Sequence, residues 1–114
     1  MIKVIKMEEV SIEDFQKLDI RVARIVEVDD HPKADKLYVL KIEINGEERQ
    51  LVAGIKSYYK KEELINKKII VIANLKPAVL RGVESKGMLL AAENDGNITL
   101  LIADKDIDTG AKIR

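Results

Sequence analysis

The chain has 114 residues, 46 % of them apolar, with 20 Lys+Arg against 20 Asp+Glu and no cysteine. That length holds one domain with one core and excludes two. The missing cysteines exclude a disulfide framework and thiolate chemistry and fit a reducing, cytoplasmic setting. No apolar run approaches the roughly 20 residues that span a membrane.

Residues 1–10 read as an extended arm, with Ile2 and Val4 alternating with Lys3, too short and interrupted for a signal peptide. Ser11 can cap a short helix running to about Leu18, with Glu13 and Asp14 at its positive end. Ile12, Phe15 and Leu18 share a face, and Phe15 is expected in the core. Residues 19–28 form the first long strand; Ile20 and Val22 alternate with Arg21, then Ala23 and Ile25 shift the phase. That slip predicts a bulge, which a coiled strand in a small barrel needs. Residues 29–36 are a polar turn with Pro32 that puts Lys33 and Lys36 at an exposed tip. Residues 37–44 and 48–53 are strands joined by an Asn45-Gly46 hairpin turn. A helical turn follows over residues 60–65. Residues 68–73 and 88–92 read as strands buried on both sides. A turn over 93–97, a short strand over 98–102 and a tail from 103, an extra strand or extended arm, complete the chain.

Between the two apolar strands lies a loop over residues 74–86, long for a compact domain and therefore a candidate for function. Pro77 stiffens it, Gly82 and Gly87 relax its backbone, and Leu75, Val79, Leu80 and Val83 are expected to pin it to the core. Its polar remainder is Asn74, Lys76, Arg81, Glu84, Ser85 and Lys86, a cationic set suited to phosphate and sugar oxygens. Charge is also uneven at larger scale: residues 56–88 hold eight basic residues and three acids, a net +5 that the rest of the chain balances. Such asymmetry orients a polyanion onto one face.

The order strand, strand, strand, helix, strand, strand predicts an all-β, five-stranded Greek-key barrel, the OB-fold, with short helices and terminal extensions. The whole chain is expected to be one domain, with a core over about 15–103 and arms over 1–14 and 104–114. In that fold the first-to-second and fourth-to-fifth strand loops flank the binding face. Here those are residues 29–36 and 74–86, the two loops that carry the candidate lysines and arginine. With one Phe and three Tyr, the chain lacks the aromatic platforms of single-strand coating proteins. Tyr38 reads as packing, while Tyr58 or Tyr59 could stack on a base. Recognition of a folded RNA by shape, phosphate and 2′-hydroxyl contacts fits better.

Three stretches carry a resemblance: Asp19-Ile20-Arg21-Val22-Ala23-Arg24-Ile25, His31-Pro32-Lys33-Ala34-Asp35-Lys36-Leu37-Tyr38, and Asn74-Leu75-Lys76-Pro77 through Arg81-Gly82-Val83-Glu84-Ser85-Lys86-Gly87-Met88. They resemble the tRNA-binding domain family, the OB-fold module at the C-terminus of many bacterial methionyl-tRNA synthetases, in endothelial monocyte-activating polypeptide II and in free-standing tRNA-binding proteins. The resemblance covers roughly residues 11–114. It implies a non-enzymatic, structure-dependent tRNA binder, a homodimer, and an auxiliary (beta) subunit or trans-acting cofactor of methionyl-tRNA synthetase. The alternative is a protein-binding export chaperone of the CsaA type, or a scaffold module. The Asn-Leu-Lys-Pro…Arg-Gly pattern places this sequence nearer the tRNA-binding branch. The expected nucleic-acid contacts are Lys33, Lys36, Lys56, Asn74, Lys76, Arg81, Ser85 and Lys86.

No catalytic residue, cofactor or metal is expected. His31 is the chain's one histidine; loop carboxylates beside it set no zinc geometry, so a loop-capping role is expected. Ser85 has no base on its own loop and no elbow motif, which argues against a nucleophile. Met88 opens an apolar strand and is expected in the core.

Overall fold

The computed structural model describes residues 7–114, and the arm expected over residues 1–6 lies outside them. Strand β1 (Ile20–Asp30) is the centre of a curled antiparallel sheet. Its first half pairs with β4 (Lys68–Ile72), in the register Ala23↔Ile69. Its second half pairs with β2 (Tyr38–Ile44), in the register Val28↔Leu40. The expected phase slip is real: the register shifts between Ile25 and Glu27. The bulge coils β1 enough to serve both partners. Strand β2 turns through Asn45-Gly46, at φ 52° and 85°, into β3 (Glu47–Ala53). Both residues being left-handed marks the type I′ turn that Asn-Gly favours. The sheet order is β3-β2-β1-β4-β7, where β7 is Met88–Leu89.

Inside the curl sit Ile25, Leu40, Ile42, Leu51, Ile69 and Val71, all less than 2 % exposed. Burying each of these side chains contributes about 1.5–3 kcal/mol. Helix α2 (Lys61–Leu64) is one turn that drives Leu64 fully into this core. Helix α1 (Ile12–Gln16) starts as expected, Ser11 Oγ accepting the Asp14 N–H at 3.1 Å, but ends at Gln16. Its apolar face does not reach the core. Ile12 is 61 % exposed and Phe15 half-buried, the latter in a shallow groove beside Ile113. Five residues are too few to carry Phe15 across the barrel wall.

Two other expectations are corrected. Residues 74–86 are not irregular: β5 (Ala78–Leu80) and β6 (Val83–Ser85) form a hairpin. The apolar run from Met88 is not one buried strand. It breaks at Leu90 into β7 and β8 (Ala91–Asn94), and β8 with β9 (Asn97–Leu100) makes a hairpin whose first strand is exposed. The break falls where the Leu90 N–H donates to Ile70 O and its carbonyl accepts from Leu101 N–H, so this short stretch is shared between two neighbours.

The tail is an extra strand in effect. Gly110 N–H donates to Val22 O at 2.8 Å, Val22 N–H to Ala111 O at 3.0 Å and Ile113 N–H to Ile20 O at 2.9 Å. It takes the edge of β1 that β4 does not use. A polar knot fixes its approach: Thr109 Oγ1–H and Gly46 N–H both donate to Glu43 Oε2 at 2.6 Å, with Arg24 Nε 3.7 Å from the same carboxylate. The Thr109 hydroxyl, then the Gly46 amide, hold the Glu43 carboxyl below its ordinary 4.5. A carboxyl depressed on folding stabilises the fold above its unfolded value and loses that effect as pH falls through its folded value. Glu43→Gln should therefore lower stability at neutral pH and flatten the loss of stability below pH 4.5. Urea titrations from pH 7 to pH 3 read both changes.

Candidate nucleic-acid interface

The two candidate loops meet. His31, 5 % exposed, stands between them. Its Nδ1 accepts the Lys33 N–H at 2.9 Å, which leaves the proton on Nε2 to donate to Leu80 O, also at 2.9 Å. One imidazole thus shapes the first loop and ties it to the second. The loop-capping role holds, with a cross-loop bond that sequence could not supply. Arg81 adds a second tie, Nη2 donating to Lys33 O at 3.3 Å.

Arg81 and Gly82 are the two central residues of the β5–β6 turn, at φ 52° and 89°. A left-handed arginine costs about 1 kcal/mol, and this one places its guanidinium at a hairpin tip. Lys33, Lys36, Lys76 and Arg81 are all exposed, and among the described residues none enters an ion pair. The His31 and Arg81 bonds set the turn that carries Lys33 and Lys36 against the hairpin tip that carries Arg81, with Asp29 and Asp35 also exposed on the first loop.

Other expected contacts are engaged elsewhere. Lys56 lies 3.1 Å from Asp30, which Lys61 also approaches at 3.2 Å; the Lys56 and Lys61 hydrogen bonds hold the Asp30 carboxyl below its usual value. Lys68 pairs with Asp106 at 2.7 Å, and Lys86 with Glu84 at 3.8 Å. Acids from outside residues 56–88 therefore neutralise part of the local excess. Asn74 is an internal clamp: its Oδ1 accepts Asp19 N–H and its Nδ2 donates to Lys17 O, both at 2.7 Å. Ser85 is 4 % exposed; its hydroxyl accepts Val52 N–H and donates to Gly87 O, both at 3.0 Å. Both side chains hold the second loop in place: the Ser85 hydroxyl is buried, whereas Asn74 stays exposed with both amide atoms bonded to backbone.

The apolar residues of that loop do not pin it down either. Only Val83 of the four is half-buried: Leu75 and Leu80 are each 38 % exposed and Val79 69 %, and Met88, expected in the core, is 48 % exposed. The anchoring comes from polar bonds to β3. Arg49 Nη1 donates to Ala73 O at 2.7 Å, Gln50 Nε2 to Glu84 O at 2.8 Å, and Lys86 N–H to Gln50 O at 2.9 Å. Arg49 and Gln50 were missed in the sequence because strand register decides which β3 side chains face the loop. Among the aromatics, Tyr38 is packing, its hydroxyl donating to Tyr59 O at 2.8 Å. Tyr59 is committed too, since its hydroxyl accepts Leu100 N–H at 3.0 Å. Tyr58 keeps an exposed ring. No cluster of three or more metal-ligating side chains occurs among the described residues.

Comparison with known proteins adds four findings. The chain is 59 % identical over 109 residues to methionine–tRNA ligase of Pyrococcus horikoshii, covering 96 % of this chain and 15 % of that one. It thus spans about a seventh of the length of the curated relatives it matches. A methionyl-tRNA synthetase-related protein from Pyrococcus horikoshii superposes with a TM-score of 0.89 at 34 % identity, covering 95 % of this chain and all of that one. CsaA chaperone protein from Picrophilus torridus superposes with a TM-score of 0.86 at 38 % identity, covering 93 % of this chain and all of that one. The profile of the family described as "Putative tRNA binding domain" matches residues 20–112, from the first residue of β1 to the tail strand that returns to it, and the chain belongs to that family.

Proposed function

We propose that this chain binds tRNA by structure rather than by sequence, through Lys33 and Lys36 on one loop and Lys76 and Arg81 on the other. The observation that supports this reading is the His31 bridge, which ties the loop bearing Lys33 and Lys36 to the hairpin bearing Arg81. Lys56 and Lys86 lie outside that set as auxiliary cations, released from Asp30 and Glu84 when phosphate competes. Asn74 and Ser85 act by positioning the second loop. The relation to methionine–tRNA ligases supports a place beside that synthetase, as an auxiliary subunit or as a factor acting in trans. No chemistry on the RNA is part of the reading.

A tRNA titration across a salt series tests it. Neutralising phosphates releases counterions, so the logarithm of affinity falls linearly with that of salt. Lys76→Ala with Arg81→Ala should lower affinity at fixed salt and reduce the slope by about 1 to 2. Unchanged affinity and slope would overturn the proposal. Single-stranded RNA and duplex DNA, run alongside, should bind more weakly.

A homodimer belongs to the same reading. Met7, Val10, Ile12 and Leu18 expose apolar surface beside the tail, and two copies could bury it about a two-fold axis. Light scattering should give twice the 12.9 kDa chain mass. The second reading, a protein-binding module, rests on the likeness to CsaA and predicts salt-insensitive capture of unfolded chains.

A further inference from the structure

Between β3 and the β5–β6 hairpin runs a groove of about 350 Å³ lined by Val52, Ala53, Leu75, Ala78, Leu80 and Met88, with Gly54 and Lys76 at its edge. We infer that this groove seats one unstacked nucleobase of the bound RNA, its face against the Leu75, Leu80 and Met88 side chains. The inference rests on the RNA-binding reading and names what it lacked, an apolar contact beside the phosphate contacts. The volume is in the range of small-ligand sites. Its lining is apolar yet open to solvent at Leu75, Leu80 and Met88, the condition that marks an interaction surface.

The surroundings choose the occupant. Lys76 lines the groove, and Leu80, whose carbonyl accepts the His31 proton, sits next to Arg81. Gly54, at the same end, faces the Leu37 side chain that closes the first loop. The groove therefore extends from Lys76 to Leu80, where the two loops join through His31. A base carries a flat apolar face and is tethered to phosphates on both sides, so it satisfies groove and rim together. An apolar peptide would fill the groove and leave the cations unused. Aliphatic side chains touch a base's face and read no pattern on its edge. The slot thus gives no sequence preference, but it prefers RNA with unpaired nucleotides over uniform duplex.

The test fills the slot. Ala78 is exposed on β5, so Ala78→Met adds bulk to the groove without entering the core. It should lower tRNA affinity about fivefold or more, at the low end of what one base contact contributes, and leave the salt slope unchanged. Affinity for a blunt RNA duplex should not move. In the unaltered protein, adenosine monophosphate and uridine monophosphate at millimolar concentration should shift the Leu75, Leu80 and Met88 methyl resonances. If Ala78→Met lowers the melting temperature, Met88→Ala, on the exposed rim, carries the same readout. Unchanged tRNA affinity in the slot variants, while Lys76→Ala with Arg81→Ala still reduces the slope, overturns the base slot and leaves RNA binding standing. An uncharged apolar peptide that shifts the same methyls and displaces tRNA at any salt concentration would make the groove a peptide site instead.

Discussion

Gly87→Ala should lower the melting temperature by more than 10 °C, a loss of about 3 kcal/mol or more for a domain of this size. Gly87 lies between β6 and β7, where the two ends of the sheet, β3 and β7, are brought together. Its φ is +125°, a backbone state that residues with a Cβ rarely adopt. A Cβ there would stand 2.9 Å from Ile72 O and 3.2 Å from Leu51 Cδ2. Neither neighbour can yield: Ile72 is held by ladder pairing to Ile20 on one side and Met88 on the other, and Leu51 is fully buried. Strain and clash therefore add. Gly82→Ala is the internal control. That glycine also has positive φ, at +89°, but a Cβ there meets nothing within 4 Å, so only strain of about 1 kcal/mol remains. Equal losses in urea denaturation of the two variants would mean that barrel closure does not depend on contact at Gly87.

The contrast between those glycines also marks how far the sequence can be read. Both were legible as places of unusual backbone, but the sequence does not say that one lies against a carbonyl. Elements set by local chemistry were legible: the Ser11 cap, the Asn45-Gly46 turn and the phase slip in β1 each rest on neighbouring residues. The β5–β6 hairpin was not, because its turn carries arginine where Asn or Asp would advertise a left-handed residue. The strand from Met88 was misread because an apolar run fits a buried strand as well as an exposed groove wall.

At the site, charge was legible and engagement was not. Lys33, Lys36, Lys76 and Arg81 could be chosen as cations on two loops. That Lys56 faces Asp30, or that Ser85 turns its hydroxyl toward Val52 N–H, follows from strand register across 26 and 33 residues of chain. A polar residue on a functional loop is as often the loop's own support as its contact. Asn74 and Ser85 are supports, and what they support is the position of Lys76 and Arg81.

His31→Ala should cost about 2 to 3 kcal/mol of stability and about tenfold in tRNA affinity, with the salt slope nearly unchanged. The stability loss has a local cause: the Lys33 N–H and the Leu80 carbonyl lose their partner, and the buried volume of the imidazole is left unfilled. The affinity loss has a different one. All four cations remain, so the number of phosphates neutralised is the same. The two loops are no longer tied to each other, and fixing their relative position on binding costs about the 1.4 kcal/mol to which a tenfold loss corresponds. His31→Asn separates the two effects. Its carboxamide oxygen can accept the Lys33 N–H two residues on, as Asn does in turns, but the side chain is too short to reach Leu80 O. Stability should recover in part while affinity stays low. Recovery of both together would show that the first loop needs only its own turn, and that the bond to Leu80 does not govern how the two loops act as one surface.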